Sequence, residues 1–215
     1  GFSVVHSERE VVKLGEKSIN ENQISEVAFK RGVDAFNAHV KTIREKQVDL
    51  VKAFATSAIR EAKNGPQFVS LIKENTGIDI EVIGGEREAE LIYLGNRLAV
   101  NMANEAHLIM DIGGGSNEFV IADHNQIYWK RSFKLGVARL LEKFKPENPI
   151  TPETLEKVNQ YLARELQPLI DALKKYPVTC LIGSSGGFES VVDMIAGAFQ
   201  KEKVDVGTIA VDAIF

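Results

Sequence analysis

The sequence predicts an α/β protein. In the first half of the chain, apolar runs of strand length alternate with helical patterns, and the second half opens with three short strands joined by a glycine-rich turn and a polar turn. Alternation of strands and helices is typical of a partly parallel sheet that is covered by helices. The chain has 215 residues, 44% of them hydrophobic, which is enough to bury one good core or two small ones.

The first half alternates between helix and strand. Apolar residues three and four positions apart indicate helices, and short apolar runs that end at glycine or proline indicate strands. The first residues, up to Val5, also have a strand-like pattern. The elements predicted after them are, in order, a helix over 20–44 with Asn20 as its cap, a strand over 48–55, a helix that follows Gly65-Pro66, a strand over 78–83 and a helix that includes 91–102.

The second half begins with an antiparallel meander. A buried strand over 107–111 meets three glycines and continues into a strand over 118–122, and a third strand over 127–133 follows a polar turn at 123–125. Helices and strands then alternate again. The predicted elements are a helix over 137–144, a long helix from Pro152 that Pro168 kinks or ends, a strand over 178–182 and a helix over 188–199.

Composition excludes several classes of partner. The net charge of −4 arises from 26 basic and 30 acidic residues in mixed order, so no broad cationic face is available for a nucleic acid. We therefore expect no nucleic-acid partner, and a polyanionic substrate needs a local pocket. No apolar stretch approaches the roughly 20 residues of a membrane helix, and the N-terminus lacks a signal-peptide pattern, so we expect no membrane partner.

The cysteine and the histidines do not suggest a catalytic or metal centre. Cys180 lies in an apolar run, which predicts a buried thiol and fits a reducing, cytoplasmic location. The four histidines show no spacing typical of metal ligands, and no Ser-His-Asp pattern is recognisable. Direct attack by water is therefore the simplest hydrolytic chemistry that we consider.

The most informative segment runs from Asp111 to Glu118. Its three glycines, Gly113, Gly114 and Gly115, let the backbone approach a ligand closely and direct N–H groups at phosphate oxygens. Asp111, at the end of a buried strand, is placed to hold Mg²⁺ directly or through water. The alternative is a glycine-rich hairpin with a solvated aspartate.

Two other glycine motifs do not fit this segment. A P-loop follows the pattern G-x-x-x-x-G-K-S/T, but no lysine follows these glycines. A dinucleotide-binding fold needs G-x-G-x-x-G leading into a helix, whereas the residues after Glu118 predict a strand. A phosphate loop between two strands remains.

Five short blocks of the chain are informative together: ATSAIR at 55–60, IGGEREAELIY at 83–93, MDIGGGS at 110–116, FKLG at 133–136 and IGSSGG at 182–187. In these blocks the sequence resembles the exopolyphosphatase and guanosine pentaphosphate phosphohydrolase family (Ppx/GppA). The blocks occur in the family's order, and the resemblance extends over nearly the whole chain.

The resemblance implies two ribonuclease-H-like domains of the actin-like ATPase superfamily with a cleft between them. We expect the first over residues 1–105 and the second over 106–215. Each domain of the family opens with an acidic glycine hairpin, and only the second hairpin is present, so we expect the first to precede Gly1. By the same comparison, we expect the second domain to be incomplete at its C-terminus.

The resemblance also implies roles for individual residues. Glu88 matches the catalytic glutamate, which orients and deprotonates the attacking water from the lobe opposite the glycines. The alternative is that Glu86, Glu88 and Glu90 only favour the N-terminus of their helix. Ser116 and the N–H groups of the three glycines are implied as phosphate ligands, and Glu118 is implied as an aid to the metal through water, with a solvated strand carboxylate as the alternative.

Two further sites are implied outside that hairpin. Arg60 is expected to clamp phosphate oxygens, the alternative being an arginine paired with Glu61. Gly183, Ser184, Ser185 and Gly186 form a junction between a strand and a helix that suits an anion, the alternative being a tight turn. The chain departs from the family pattern at Arg87, where a second glutamate is common, and at Asn117, where threonine is common.

The implied activity is Mg²⁺-dependent removal of terminal phosphate from inorganic polyphosphate, guanosine pentaphosphate or both. One alternative is a phosphate or nucleotide sensor of the same fold that does not turn over, and another is an actin-like ATPase or kinase. The match at 83–93 favours the phosphatase. The sequence leaves the preferred substrate and the oligomeric state open, including a homodimer.

Overall fold

A computed structural model describes residues 3–16, 18–102, 104–188, 190, 191 and 194. The chain packs into two compact units, residues 1–83 and 84–215. These units are defined by packing alone, so the predicted division into ribonuclease-H-like domains at residues 105 and 106 stays a prediction. The α/β class is confirmed in both units.

The described residues of the first unit form a pair of short parallel strands and three helices. The elements are α1 (Glu26–Glu45), β1 (Ala53–Ala55), α2 (Ser57–Arg60), α3 (Gly65–Thr76) and β2 (Ile80–Val82). Strand β1 pairs with β2, and Ala55 lies opposite Val82. The buried core of this unit lies between the helices and the two strands and includes Ala28, Phe68 and Ile72.

Three predictions for this unit are wrong in detail. Helix α1 is capped by Ser25, whose hydroxyl accepts the N–H of Ala28, and not by Asn20, which lies in a turn. The strand predicted over 48–55 is regular only at its end, Ala53–Ala55. The strand-like pattern was predicted up to Val5, but the described residues of this stretch, 3–5, form no strand.

The described residues of the second unit form a sheet covered by helices. The elements are α4 (Gly85–Ala99), β3 (His107–Ile112), β4 (Asn117–Ala122), β5 (Ile127–Phe133), α5 (Val137–Phe144), α6 (Pro152–Glu165), α7 (Gln167–Lys175) and β6 (Cys180–Ser184). These four strands form one sheet in the order β5-β4-β3-β6. Strands β3, β4 and β5 form the predicted antiparallel meander, and β6 runs parallel to β3.

Pro168 divides the predicted long helix, as expected. It occupies the first turn of α7, where its missing N–H costs no hydrogen bond within the helix. Most of the helix predicted over 188–199 lies outside the described residues. The residues of this range that are described, 188, 190, 191 and 194, are helical, as are 186 and 187.

Helices cover both faces of the sheet. Ala89 and Tyr93 of α4 pack on Ile109, Val120 and Ile182 on one face. Residues of α6 and α7, among them Leu162 and Leu169, pack on Phe119 and Phe133 on the other. None of the helices in the described part of the chain is both long and apolar enough to cross a membrane.

Candidate functional site

Four polar residues lie side by side across the whole sheet of the second unit. Ser132 of β5 is opposite Glu118 of β4, Glu118 is opposite Asp111 of β3, and Asp111 is opposite Ser184 of β6. Side chains alternate between the faces of a strand, so these four share the face that α4 covers. We call them the polar row. It lies next to the turn of residues 113–115, the triglycine turn.

Glu118 is the most buried member of the polar row, with 2% of its surface exposed. Ser132 donates a hydrogen bond to Oε1 of Glu118 at 2.6 Å. Burial raises the pKa of Glu118 to about 7, against hydrogen bonds from Ser132 and Ser116 that lower it, and the charges of Glu88 and Asp111 raise it further. Three carboxylates of this unit therefore interact electrostatically at one place.

Helix α4 brings Glu88 to this place. Glu88 is half-buried in the first turn of the helix, and the next residue, Ala89, is fully buried against the sheet. Sequence analysis assigned Glu88 to the lobe opposite the triglycine turn, but α4 packs in the unit that contains this turn.

The neighbouring glutamates of α4 have other surroundings. Glu90 pairs with Lys130 of β5 and with Arg87 at 3.0 Å, and these cations hold the pKa of Glu90 below its usual range. Glu86 is largely exposed and lies 3.9 Å from Lys130. A general preference of glutamate for the helix N-terminus would not distinguish these three residues, whereas their surroundings do.

The carbonyl groups of the triglycine turn all face α5. The carbonyl of Gly113 accepts the N–H of Val137 at 3.0 Å, and that of Gly114 accepts the N–H of Ala138 at 2.9 Å. The carbonyl of Gly115 accepts a hydrogen bond from Nε of Arg139 at 2.8 Å. In a trans peptide the C=O and N–H groups point in opposite directions, so the N–H groups of the next residues, 114, 115 and 116, point away from α5.

This set of amides differs from the predicted one by one residue. The N–H of Gly113 donates within the turn to the carbonyl of Ser116 at 3.0 Å, so it is already used. The amide of Ser116 takes its place. The hydroxyl of Ser116 contacts Glu118, and Asn117 donates from Nδ2 to the carbonyl of Leu135 at 3.1 Å, so both side chains support the hairpin itself.

The glycine-rich segment at the end of β6, residues 183–187, lies beside the same hairpin. Ser184 belongs to the polar row, and Ser185 donates from its hydroxyl to the carbonyl of Ile112 at 3.1 Å. Ser185 has a φ of 68°, in the left-handed region that favours glycine. This part of the chain therefore fits the predicted junction between strand and helix, with helical residues beginning at Gly186.

Arg60 lies in the first unit, at the end of α2. One guanidinium nitrogen, Nη1, donates to the carbonyl of Ile83 at 2.8 Å, and Nε lies 3.5 Å from a carboxylate oxygen of Glu61. The structure thus contains the pairing with Glu61 that was the alternative to a phosphate clamp. The role of Arg60 in binding stays a prediction.

The donor set of the polar row fits a Mg²⁺ ion. Asp111 is half-buried, and its charge and that of Glu88 raise the pKa of the buried Glu118, so a cation is favoured at this place. No group of three or more His, Cys, Asp or Glu residues within the described ranges is arranged to hold a metal ion. Mg²⁺ commonly binds through one or two carboxylates together with waters and substrate phosphates, which matches Asp111 with Glu118 behind it.

Ser132 and Arg139 were not predicted. Ser132 lies opposite Glu118 only because an irregularity at Ile121 and Ala122 shifts the register of β4 and β5, and the turn residues do not indicate this shift. No spacing or composition signal indicates that Arg139 contacts Gly115, since this contact depends on how α5 packs.

Known proteins with similar sequences belong to one family. A sequence profile of the Ppx/GppA phosphatase family matches residues 1–210. The chain is 26% identical over 198 residues to a guanosine-5'-triphosphate,3'-diphosphate pyrophosphatase from Photobacterium profundum, covering 92% of this chain and 40% of that protein.

Solved structures show the same similarity. The crystal structure of an exopolyphosphatase from Cytophaga hutchinsonii matches with a TM-score of 0.88 and 37% identity, over 93% of this chain and 64% of that one. The Aquifex aeolicus Ppx/GppA protein matches with a TM-score of 0.69 and 28% identity, over 91% of this chain and 61% of that one. The chain thus spans about two fifths to two thirds of the length of these relatives.

Proposed function

Because the chain belongs to the Ppx/GppA phosphatase family, we propose that the protein removes the terminal phosphate of inorganic polyphosphate, guanosine pentaphosphate or both. The observation that carries this proposal is the meeting of Glu88, Asp111 and Glu118 beside a triglycine turn whose amides point to one side. Anion-binding backbone and a group of carboxylates are the two parts that hydrolysis of a phosphoanhydride requires.

In the proposed reaction, the N–H groups of Gly114, Gly115 and Ser116 bind oxygens of the terminal phosphate. Glu88 accepts a proton from water, the water oxygen forms a bond to phosphorus, and the bond from phosphorus to the bridging oxygen breaks. The products are inorganic phosphate and a chain shorter by one phosphate. Oriented amides contribute because they require no reorganisation as charge develops.

We propose Asp111 as the residue that holds Mg²⁺, directly or through water, with Glu118 assisting through water. When bound, Mg²⁺ would neutralise part of the phosphate charge. Ser132 keeps the carboxylate of Glu118 in a fixed orientation through its 2.6 Å hydrogen bond. This hydrogen bond supports an indirect role for Glu118, because one carboxylate oxygen already has a protein partner.

Two more binding roles belong to the proposal. Arg60 would clamp phosphate oxygens, for which its planar guanidinium is suited. Gly183, Ser184, Ser185 and Gly186 would form part of the wall around the substrate, which the place of Ser184 in the polar row supports. A cytoplasmic location and the absence of nucleic-acid and membrane partners remain predictions, as does the choice between monomer and homodimer.

Replacing Glu88 by glutamine tests the proposed activity. The change removes the base and keeps the shape of the side chain, so we expect kcat for phosphate release to fall by at least about 100-fold with substrate binding retained. The measurement is phosphate release from polyphosphate and from guanosine pentaphosphate by the natural full-length protein.

Glu86→Gln is the matched control, because it makes the same change two residues away on a largely exposed side chain. We expect the control to keep the parent rate. Equal rates for Glu88→Gln and the parent would exclude Glu88 as the base. A parent that binds both substrates and hydrolyses neither would favour the sensor function over the phosphatase.

A further inference from the structure

We propose that Arg139 is a positioning residue, which with the first turn of α5 fixes the triglycine turn in the orientation that binds phosphate. This inference rests on the proposed function and extends it to a residue outside the carboxylate group. Arg139 is buried, with 8% of its surface exposed, and acts through the carbonyl of Gly115.

The contacts between α5 and the turn follow one another in sequence. Residues 137, 138 and 139 bind the carbonyls of residues 113, 114 and 115, the first two through backbone N–H groups and the third through the side chain of Arg139. The first N–H groups of a helix lack partners within the helix. In α5, two of these N–H groups hold the backbone of the turn, so the phosphate site lies on the other side of the turn.

The chain before α5 also fits closely against the turn. A Cβ atom at Gly136 would lie 2.3 Å from the carbonyl carbon and the carbonyl oxygen of Gly114, which is closer than real contacts allow. Gly136 therefore permits the approach that lets Val137 and Ala138 reach the glycine carbonyls. The close packing of Gly136 and the hydrogen bond from Ala138 thus act on the same peptide, the one that joins Gly114 to Gly115.

An arginine suits position 139, the third of these contacts, for a chemical reason. Its guanidinium carries donors in a rigid plane and stays charged at all relevant pH values, whereas a lysine offers a single flexible point charge. A segment of three glycines has more conformational freedom than any other tripeptide. If Gly115 lost its partner, binding of phosphate would have to order the turn as well, and affinity would fall.

A purely structural role for Arg139 predicts a different result. A buried arginine that only ties α5 to the hairpin would lower stability when replaced, but the folded fraction would bind phosphate as before. The affinity of folded protein for phosphate therefore separates the two roles. Restoration of this affinity by added guanidinium ion, in a variant that lacks the arginine side chain, provides a second readout.

The test compares Arg139→Met, Arg139→Lys and Arg139→Ala with the parent in the natural full-length protein. The dissociation constant of inorganic phosphate is measured by calorimetry, and KM and kcat are measured with polyphosphate. We expect Arg139→Met to raise both the dissociation constant and KM by about 10-fold or more, as for loss of one charge-assisted hydrogen bond, with a smaller change in kcat. Arg139→Lys should be intermediate, and guanidinium ion should restore part of the affinity of Arg139→Ala.

Lys143→Met is the control, because it removes the same charge from the same helix where Lys143 contacts the ring of Tyr161 at 4.5 Å. We expect it to bind phosphate like the parent. Dissociation constants for folded Arg139→Met and Arg139→Lys within about 2-fold of the parent would overturn the proposal, and if Arg139→Met does not fold, Arg139→Lys decides. A parent that binds phosphate but releases none from polyphosphate would contradict only the proposed function, since the ratio of dissociation constants still tests Arg139.

Discussion

The triglycine turn and the glycine-rich segment 183–187 lie at the ends of neighbouring strands of one sheet, β3 and β6. A Cβ atom at Gly183 would lie 2.2 Å from the ring of Phe188, and one at Gly187 would lie 3.0 Å from Cβ of Ile112. A Cβ atom at Gly114 would meet nothing within 4 Å, and Gly114 is exposed with a φ outside the left-handed region.

This contrast separates two reasons for a glycine. Packing within the protein accounts for Gly183 and Gly187, whereas neither packing nor backbone conformation requires a glycine at position 114. A glycine at position 114 has another physical use, because it lets a ligand approach the backbone closely. Gly113 of the triglycine turn resembles Gly183, since its added Cβ would lie 2.6 Å from the carbonyl oxygen of Ser116. The comparison therefore supports phosphate binding at Gly114 more strongly than at Gly183 or Gly187.

The largest effect that we expect concerns Gly183. Gly183→Ala should lower the free energy of unfolding by about 1–3 kcal/mol, because the added methyl group overlaps the ring of Phe188 and forces the segment to shift. Urea unfolding measures this change.

Gly95→Ala serves as its control. Gly95 lies inside α4 with nothing within 4 Å of its added Cβ, so alanine there should raise stability by roughly 0.5–1 kcal/mol. If Gly183→Ala were as stable as the parent, packing would not explain that glycine, and the contrast between the two segments would fail.

An effect of similar size concerns the cost of burying Glu118 beside the turn. The pKa of Glu118 is about 7 in the folded protein, above the ordinary value of 4.5, so the folded state keeps a proton that the unfolded state releases. The contribution of Glu118 to stability is then highest below about pH 4.5 and falls as the pH rises through 7, by on the order of 1–3 kcal/mol. Glu118→Gln should remove this fall, because the amide does not ionise.

The measurement is urea unfolding at pH 5 and pH 8 in EDTA, so that no metal binds the carboxylates. The difference in stability between Glu118→Gln and the parent should grow with pH. Glu156→Gln, at an exposed position of α6, should follow the parent at both values. Parallel curves for Glu118→Gln and the parent would show that burial of Glu118 does not raise its pKa.

Much of the sheet was predictable, because its strands are apolar runs separated by turn residues. The three strands of the meander and the break at Pro168 follow from such local signals, and both are confirmed. The start of α1 was not predictable, since Asn20 and Ser25 are both good caps and the turn around residues 18–23 decides between them. Propensity is a local signal, and tertiary packing overrides it.

The candidate site divides in the same way. Glu88 and Asp111 stand out because their neighbours form recognisable blocks, whereas the direction of the glycine amides depends on α5, more than 20 residues further along the chain. A list of glycines therefore names the turn but not which N–H groups face a ligand. The N–H of Gly113 donates to the carbonyl of Ser116 within the turn, whereas the N–H of Ser116 points away from α5, so Ser116 takes the place of Gly113 among the predicted amides.

Gly114→Ala tests the central claim most directly, because its methyl group would occupy the space that we assign to phosphate. The protein should be as stable as the parent or up to about 1 kcal/mol more stable, since the site is open and its backbone suits alanine. The dissociation constant for inorganic phosphate and KM for polyphosphate should rise by about 10-fold or more. Unchanged affinity in this stable variant would contradict binding of phosphate at the triglycine turn.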